Sequence, residues 1–256
     1  MRCGDAGLLT IGLFCAVCAG PARAQEVGPA LKRGLDWHRN EFVFLHGGEF
    51  KLGSPMRSNF GWNHFSGWRH GDSFAFFNLI RRKDIGAEYY GEGYSYLSLK
   101  KTTGFQPPLP LVGDVLPGIG LNIGGEPIQS GFNAVLLGGK VVFDIPWVQN
   151  FHVQAWAFQS NIGRAWGTQI TPAWYVPIRL GRHRVVFRGF FDFRSAAATG
   201  GEAEIFGEPE LHWDLGHYFG QNEKVLLGMR LDVAANKFGV KGVDETAWQL
   251  MFVYAF

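Results

Sequence analysis

The stretch that decides the fold is TAWQLMFVYAF, residues 246–256. Trp248, Leu250, Phe252, Tyr254 and Phe256 fall on every second position, with Gln249, Met251, Val253 and Ala255 between them. Side chains alternate across a strand, so one face of this segment is a stripe of large apolar groups. An amphipathic strand in a soluble sheet reads this way too. Two kinds of observation favour a strand that turns its stripe to lipid: what precedes the mature chain, and how often the same pattern recurs within it.

The first residues read as an export signal. Arg2 precedes an apolar run from Leu8 to Ala19, and Ala22-Arg23-Ala24 forms a small-residue cleavage pattern before Gln25. The run is shorter than the roughly 20 residues a spanning helix needs, so a signal peptide over 1–24, cut between Ala24 and Gln25, is expected. Residues 25–256 are then the mature domain. Cys3, Cys15 and Cys18 all lie in the leader, which excludes a disulfide scaffold. Without Arg2, Arg23 and Asp5 the mature chain keeps 22 basic and 21 acidic residues of the original 24 and 22, a net charge of +1. Such a balance gives no global attraction to nucleic acid. Composition leans to sheet: the 256 residues include 23 Phe, 9 Trp, 7 Tyr and 36 Gly, with 18% charged.

Period-two alternation recurs along the mature chain. In HRVVFRGFFDFR, residues 183–194, Val185, Phe187, Phe191 and Phe193 oppose Arg188, Phe190, Asp192 and Arg194. In KVLLGMRLDVA, residues 224–234, Val225, Leu227, Met229 and Leu231 oppose Arg230 and Asp232. EPELHWDL, residues 208–215, sets Glu210 and His212 against Leu211 and Trp213. Counting back from Phe256 gives strands near 246–256, 224–234, 207–215, 184–194, 168–177, 151–160, 133–143, 115–123, 86–100, 73–81 and 41–50. A further strand over 58–68, where Phe60, Trp62 and Trp68 share a parity, brings the total to about twelve. In hydrocarbon a sheet must close on itself, and single-chain barrels use even strand numbers. The fold class expected is therefore all-β, a transmembrane antiparallel β-barrel of about twelve strands in the bacterial outer membrane, with both chain ends on the periplasmic side. Segments 195–206, 124–132 and 235–245 become outer loops. The segment 101–114 is long for a periplasmic turn. Phe256 resembles the C-terminal aromatic by which barrel assembly machinery recognises its clients.

Function belongs to the inward parity, because lumen residues set selectivity. Glu88, Tyr90, Glu92, Tyr94, Tyr96, Ser98 and Lys100 alternate along one segment, and His152, Gln154, Trp156 and Phe158 along another. Aromatics mixed with charge can stack a flat ring and bond its edges. The candidate solute-binding residues are Glu88, Tyr90, Tyr94, Trp156, Arg188, Phe190, Asp192, Glu210, His212, Arg230 and Asp232. The competing reading is that opposed charges brace a narrow barrel.

Enzyme signals are weak. GIGLNIG, residues 118–124, lacks dinucleotide spacing and falls on a strand. His64 and His70 lack metal-ligand spacing. Asp192, Ser195 and His212 supply triad residue types with nothing to fix their geometry. Glu202, Glu204, Glu208, Glu210 and Asp214 are a possible calcium group that solvated or lumen charge explains as well. No catalytic residue, metal or cofactor is expected.

Several strings resemble the Tsx-like nucleoside-specific channels of the bacterial outer membrane. They include HGDSFAFFNL (70–79), YGEGYSYLSLKKTTG (90–104), FDIPWV (143–148), FHVQAWAF (151–158), TPAWYVP (171–177), GEPELHWDLGHYFG (207–220) and NKFGVKGVDETAWQLMFVYAF (236–256). The resemblance implies a monomeric twelve-stranded barrel with a narrow channel for passive diffusion of nucleosides or similar small polar solutes. Its surroundings are outer-membrane lipids, and no nucleic acid polymer is a partner. The alternatives are a barrel enzyme acting on lipid and a structural or adhesive barrel with a blocked lumen.

Overall fold

The computed structural model describes residues 35–83, 86–126, 129–163 and 165–256. The expected signal peptide, its cleavage at Ala24 and Gln25, and the three cysteines lie outside the described residues. The alternating segments form β1 (Leu35–Gly48), β2 (Met56–Trp68), β3 (Gly71–Arg82), β4 (Gly86–Leu97), β5 (Val112–Glu126), β6 (Gln129–Phe143), β7 (Asn150–Ser160), β8 (Gly167–Leu180), β9 (His183–Arg194), β10 (Glu204–Gly207), β11 (Glu210–Asp214), β12 (Val225–Ala235) and β13 (Glu245–Ala255). Each pairs antiparallel with its sequence neighbours, and β13 pairs with both β12 and β1, which closes the ring.

Strands β10 and β11 are two halves of one span. Both pair β9 and β12, and both keep the register in which Glu204 faces Arg194 and Glu210 faces Arg188. Thirteen strands, two of them halves of one, make twelve spans. The gap falls at Glu208-Pro209, because proline has no N–H to give the ladder. Opposite it, Gly189 has φ +154°, and a Cβ there would stand 2.6 Å from the Glu208 carbonyl oxygen. The single strand expected over 207–215 is thus interrupted.

The polarity of the barrel is inverted relative to a soluble sheet. In β13, Trp248, Leu250, Phe252 and Tyr254 are exposed, whereas Glu245, Gln249, Met251 and Val253 are buried. The expected parity of the decisive stretch holds. Ile119, Leu121 and Ile123 on β5 continue the exposed apolar belt, as do Leu211 and Trp213 on β11. Inside, Glu41 is 1% exposed and His212 and Asp214 are fully covered. A belt of this extent encircling the molecule is a lipid-facing surface. No helix among the described residues is long and apolar enough to cross a membrane, and the strands cross instead. The architecture is that of an outer-membrane β-barrel.

Closure runs to the last residue. The Phe256 amide donates to the Asn40 carbonyl at 3.0 Å, Asn40 returns the bond at 3.1 Å, and the Phe256 ring lies 4.9 Å from Phe42.

The connections differ from expectation in three places, and the loop expected over 235–245 is present. Residues 124–132 are not an outer loop, because β5 and β6 run on to Glu126 and from Gln129. Residues 195–206 hold a short helix, α1 (Ala196–Thr199), and already rejoin the sheet at Glu204. Residues 235–245 contain a tight turn over Lys237–Gly239, where the buried Lys237 ammonium bonds the Glu245 carboxylate. The strand expected over 86–100 stops at Leu97, because Ser98 caps a helix over Leu99–Thr103. Its hydroxyl accepts the Lys101 amide at 2.9 Å and donates to Asp114 at 2.5 Å. Lys101 also donates to the carbonyls of Trp68 and Gly71. These bonds tie the long 98–111 connection to the rim, so its length does not break the barrel pattern.

Candidate functional site: the barrel lumen

Among the described residues the barrel encloses a cavity of about 2440 Å³. Its lining runs from Phe50 and Phe238 at the loop end to Trp147 and Lys224 at the end that holds Phe256. Elements fold inward at both ends. At the loop end, α1 puts Ala198 against Phe158 in the aromatic core, with the Ser160 hydroxyl donating to its carbonyl at 3.3 Å. At the other end, the 215–224 turn brings Glu223 beneath the lumen. There its carboxylate accepts from Tyr175 at 2.6 Å and pairs with Arg184, and its carbonyl accepts from Arg39 at 2.7 Å.

One wall is aromatic, and its geometry follows from glycine. On the inner face of β4, Tyr90, Tyr94 and Tyr96 stand directly opposite Gly124, Gly120 and Gly118 of β5. With no Cβ in the way, each ring leans onto the neighbouring backbone. A Cβ would meet the Tyr90, Tyr94 and Tyr96 rings at 3.0, 2.6 and 2.7 Å. The GIGLNIG segment is thus the bed of a tyrosine row. Phe74 lies parallel to Tyr94 with centroids 6.4 Å apart, and Trp156 packs on Tyr94 and Tyr96 at 5.5 and 5.7 Å. Gln154 accepts from both the Trp156 indole and the Tyr96 hydroxyl. Lys140 sits over the Tyr96 ring at 4.0 Å and pairs with Asp72 at 2.6 Å.

The facing wall is ionic. Glu210 lies in register between Arg188 on β9 and Arg230 on β12. It accepts from Arg188 at 2.7 Å, from Arg230 at 2.6 Å, and lies 2.8 Å from His212 Nε2. Arg188 also reaches across to Glu41 at 3.0 Å, where Arg39 adds a bond at 2.8 Å. Higher up, Asp192 accepts from Thr171 at 2.6 Å and from Arg194 at 2.9 Å, and Arg194 reaches Glu204 at 3.2 Å. Ions buried this deeply persist because each meets an opposite charge and further hydrogen bonds. Cationic and anionic side chains line the cavity in equal number among the described residues.

All eleven candidate residues sit on the inward parity, in separate groups. Arg188, Glu210, His212 and Arg230 form one network, and Tyr90, Tyr94 and Trp156 form another. Phe190 packs on Phe206 at 6.1 Å, Glu88 pairs with Arg82 at 3.1 Å, and Asp232 accepts from Gln249 at 2.9 Å. His212 and Trp156 are 0% and 2% exposed and stand behind the lining, where they brace groups that a solute can touch. Arg39, Glu41, Asn122 and Lys140 were missed by the sequence reading. Glu41 shares the parity of Val43 and Leu45 and was legible in principle, whereas Glu223 lies in a turn and carries no periodic signal.

The triad residue types Asp192, Ser195 and His212 are not brought together. His212 bonds Glu210, Asp192 bonds Thr171 and Arg194, and Ser195 accepts from the Thr168 amide. The acidic group is divided among arginines, with Glu204 on Arg194, Glu210 on Arg188 and Asp214 on Arg184. On the outer wall, Ser58 Oγ lies 2.9 Å from His46 Nδ1 on the adjacent strand. No carboxylate bonds that histidine among the described residues.

Neither a protein-family model nor a curated protein matches the chain. Among solved structures, it is similar to the Salmonella typhi outer membrane phospholipase (OMPLA) dimer with bound calcium. The identity is 11%, the TM-score is 0.51, and 90% of this chain and 94% of that one are covered. It is also similar to a KdgM porin at 9% identity and TM-score 0.49, over 84% of this chain and 99% of that one. At these identities the likeness concerns the fold: an outer-membrane barrel.

Proposed function

We propose that the protein is a passive outer-membrane channel for small polar solutes that carry a flat ring, nucleosides foremost. The observation that carries this reading is a cavity lined from one barrel end to the other, with an aromatic wall, an ionic wall and equal numbers of positive and negative side chains among the described residues. Rings such as Phe74, Phe76, Tyr90 and Phe132 offer faces for stacking, worth about 1–3 kcal/mol per base. The paired ions opposite offer hydrogen-bond partners without a net field to trap or expel a neutral solute. Conduction needs contacts loose enough to release, and a series of weak sites meets that need. A polyanion gains little from such a wall. The Tsx-like strings of the sequence point the same way. In this reading the chain acts as a monomer, as the Tsx-like resemblance implies, without catalysis or a cofactor.

The test is solute entry into liposomes holding the purified protein, together with block of single-channel current. Adenosine should enter faster than a sugar of like size and should interrupt the current. Equal treatment of both would remove the nucleoside claim, and no entry of any solute would favour a plugged, structural barrel. Oligogalacturonate, named as the ligand of a KdgM porin complex, should pass poorly here.

A further inference from the structure

Glu92 stands apart from the other carboxylates beside the aromatic wall. Asp72 pairs with Lys140 and Glu88 with Arg82, but no ammonium or guanidinium reaches Glu92 within ion-pair distance among the described residues. Neutral donors hold it instead. The Tyr90 hydroxyl donates to Oε1 at 2.5 Å, and the Asn122 amide donates to the same oxygen at 3.1 Å. The Tyr94 hydroxyl donates to Oε2 at 2.8 Å. Asn122 faces Glu92 directly across β4 and β5, so the donors come from a fixed ladder rather than from mobile side chains.

A carboxylate offers about four acceptor sites. Two donors on Oε1 and one on Oε2 leave one site, on Oε2, beside the cavity that Glu92 lines. Next to Tyr90, which bonds the other oxygen of the same carboxylate, stand the rings of Phe76 and Phe132, with centroids 5.8 and 6.3 Å from it. Flat surfaces thus lie next to a preorganised anionic acceptor with a vacancy for one donor.

We propose that Glu92 is a specificity-determining residue of the channel, accepting an N–H hydrogen bond from the amino group of a flat heteroaromatic solute stacked over Tyr90, Phe76 and Phe132. The inference rests on the reading of the lumen as a solute path and narrows it to rings that bear an amino group. An acceptor on the ring edge is repelled by the carboxylate, and an edge without a donor leaves the vacancy unfilled. A charge-assisted hydrogen bond is worth about tenfold or more in occupancy.

The experiment compares adenosine with purine riboside, which differs only in lacking the 6-amino group, alongside ribose and putrescine, in liposomes holding wild-type protein, Glu92→Leu or Glu92→Gln. Wild type should admit adenosine about tenfold faster than purine riboside. In Glu92→Leu that ratio should fall toward one, while Glu92→Gln, which keeps a neutral acceptor, should lie between. Equal entry of the two purines into wild-type liposomes, both ahead of ribose, overturns the role of Glu92 and leaves the channel reading intact. Purines no faster than ribose overturn the nucleoside reading itself. Putrescine faster than adenosine overturns amino-ring recognition in favour of simple charge attraction. Where Glu92→Leu fails to fold, the wild-type purine pair and Glu92→Gln decide the matter.

Discussion

Tyr94 leans flat onto Gly120, its direct partner across β4 and β5, and a Cβ on that glycine would come within 2.6 Å of the tyrosine ring. The ring must therefore lift into the lumen if the glycine is replaced. We expect Gly120→Val to lower single-channel conductance and to cost about 1–3 kcal/mol of stability, as overpacking does. Conductance in planar bilayers and urea unfolding in vesicles measure the two effects. Unchanged conductance in a folded variant would mean that the tyrosine row does not shape the passage.

The ionic wall depends on Arg188, which binds Glu41 and Glu210 at once. Removing it takes one guanidinium from each of two buried carboxylates and leaves Glu41 to Arg39 and Glu210 to Arg230. Arg188→Met should destabilise the barrel by about 1.5–3 kcal/mol, the worth of a hydrogen bond to a charged group. The double variant Arg188→Met with Glu41→Gln should recover part of that loss. Urea midpoints of the two variants in the same vesicles check the direction.

The outer belt makes its own prediction. Leu121 is exposed near the middle of β5. Leu121→Arg should cost about 2–4 kcal/mol in a lipid bilayer. A neutral effect there would place that face in water and reverse the assignment of inside and outside.

The Ser58–His46 pair on the outer wall bears on the enzyme alternative. A serine nucleophile needs a base that is itself oriented and an oxyanion site. With no carboxylate on His46 among the described residues, we expect no fatty acid release from phospholipid micelles and no change in Ser58→Ala. Release that Ser58→Ala abolishes would establish an esterase.

Phe256 contributes two ring contacts to the folded barrel, with Phe42 at 4.9 Å and Tyr254 at 6.2 Å, and is half exposed. Phe256→Ser should therefore cost only about 0.5–1.5 kcal/mol once folded. A much larger loss in the fraction assembled in outer membranes than in unaided refolding would assign the residue to assembly. Equal losses would assign it to packing alone.

Much of this fold was legible because a lipid-facing barrel imposes period two on nearly every span. The parity of Trp248 to Tyr254, and of Arg230 and Asp232, follows from that constraint alone. What escaped the pattern has local causes. Pro209 breaks a ladder without breaking the register. Ser98 ends a strand by capping a helix, although Ser98 and Lys100 continue the alternation. β1 begins at Leu35, six residues before the expected start, because the polar residues Asp36, His38, Arg39 and Asn40 look like loop until the partners of the strand are known. The site was legible as a parity but not as groups. Whether Asn122 meets Glu92 or Glu210 meets two arginines depends on register across strands, which one sequence does not disclose.

The even match of positive and negative side chains along the lumen has an electrical consequence. A wall without net sign exerts no long-range preference for cations over anions. Potassium and chloride should share the current almost equally, with a reversal potential near zero under a salt gradient. Cationic and anionic analogues of one solute should then enter at similar rates when no Donnan voltage is imposed.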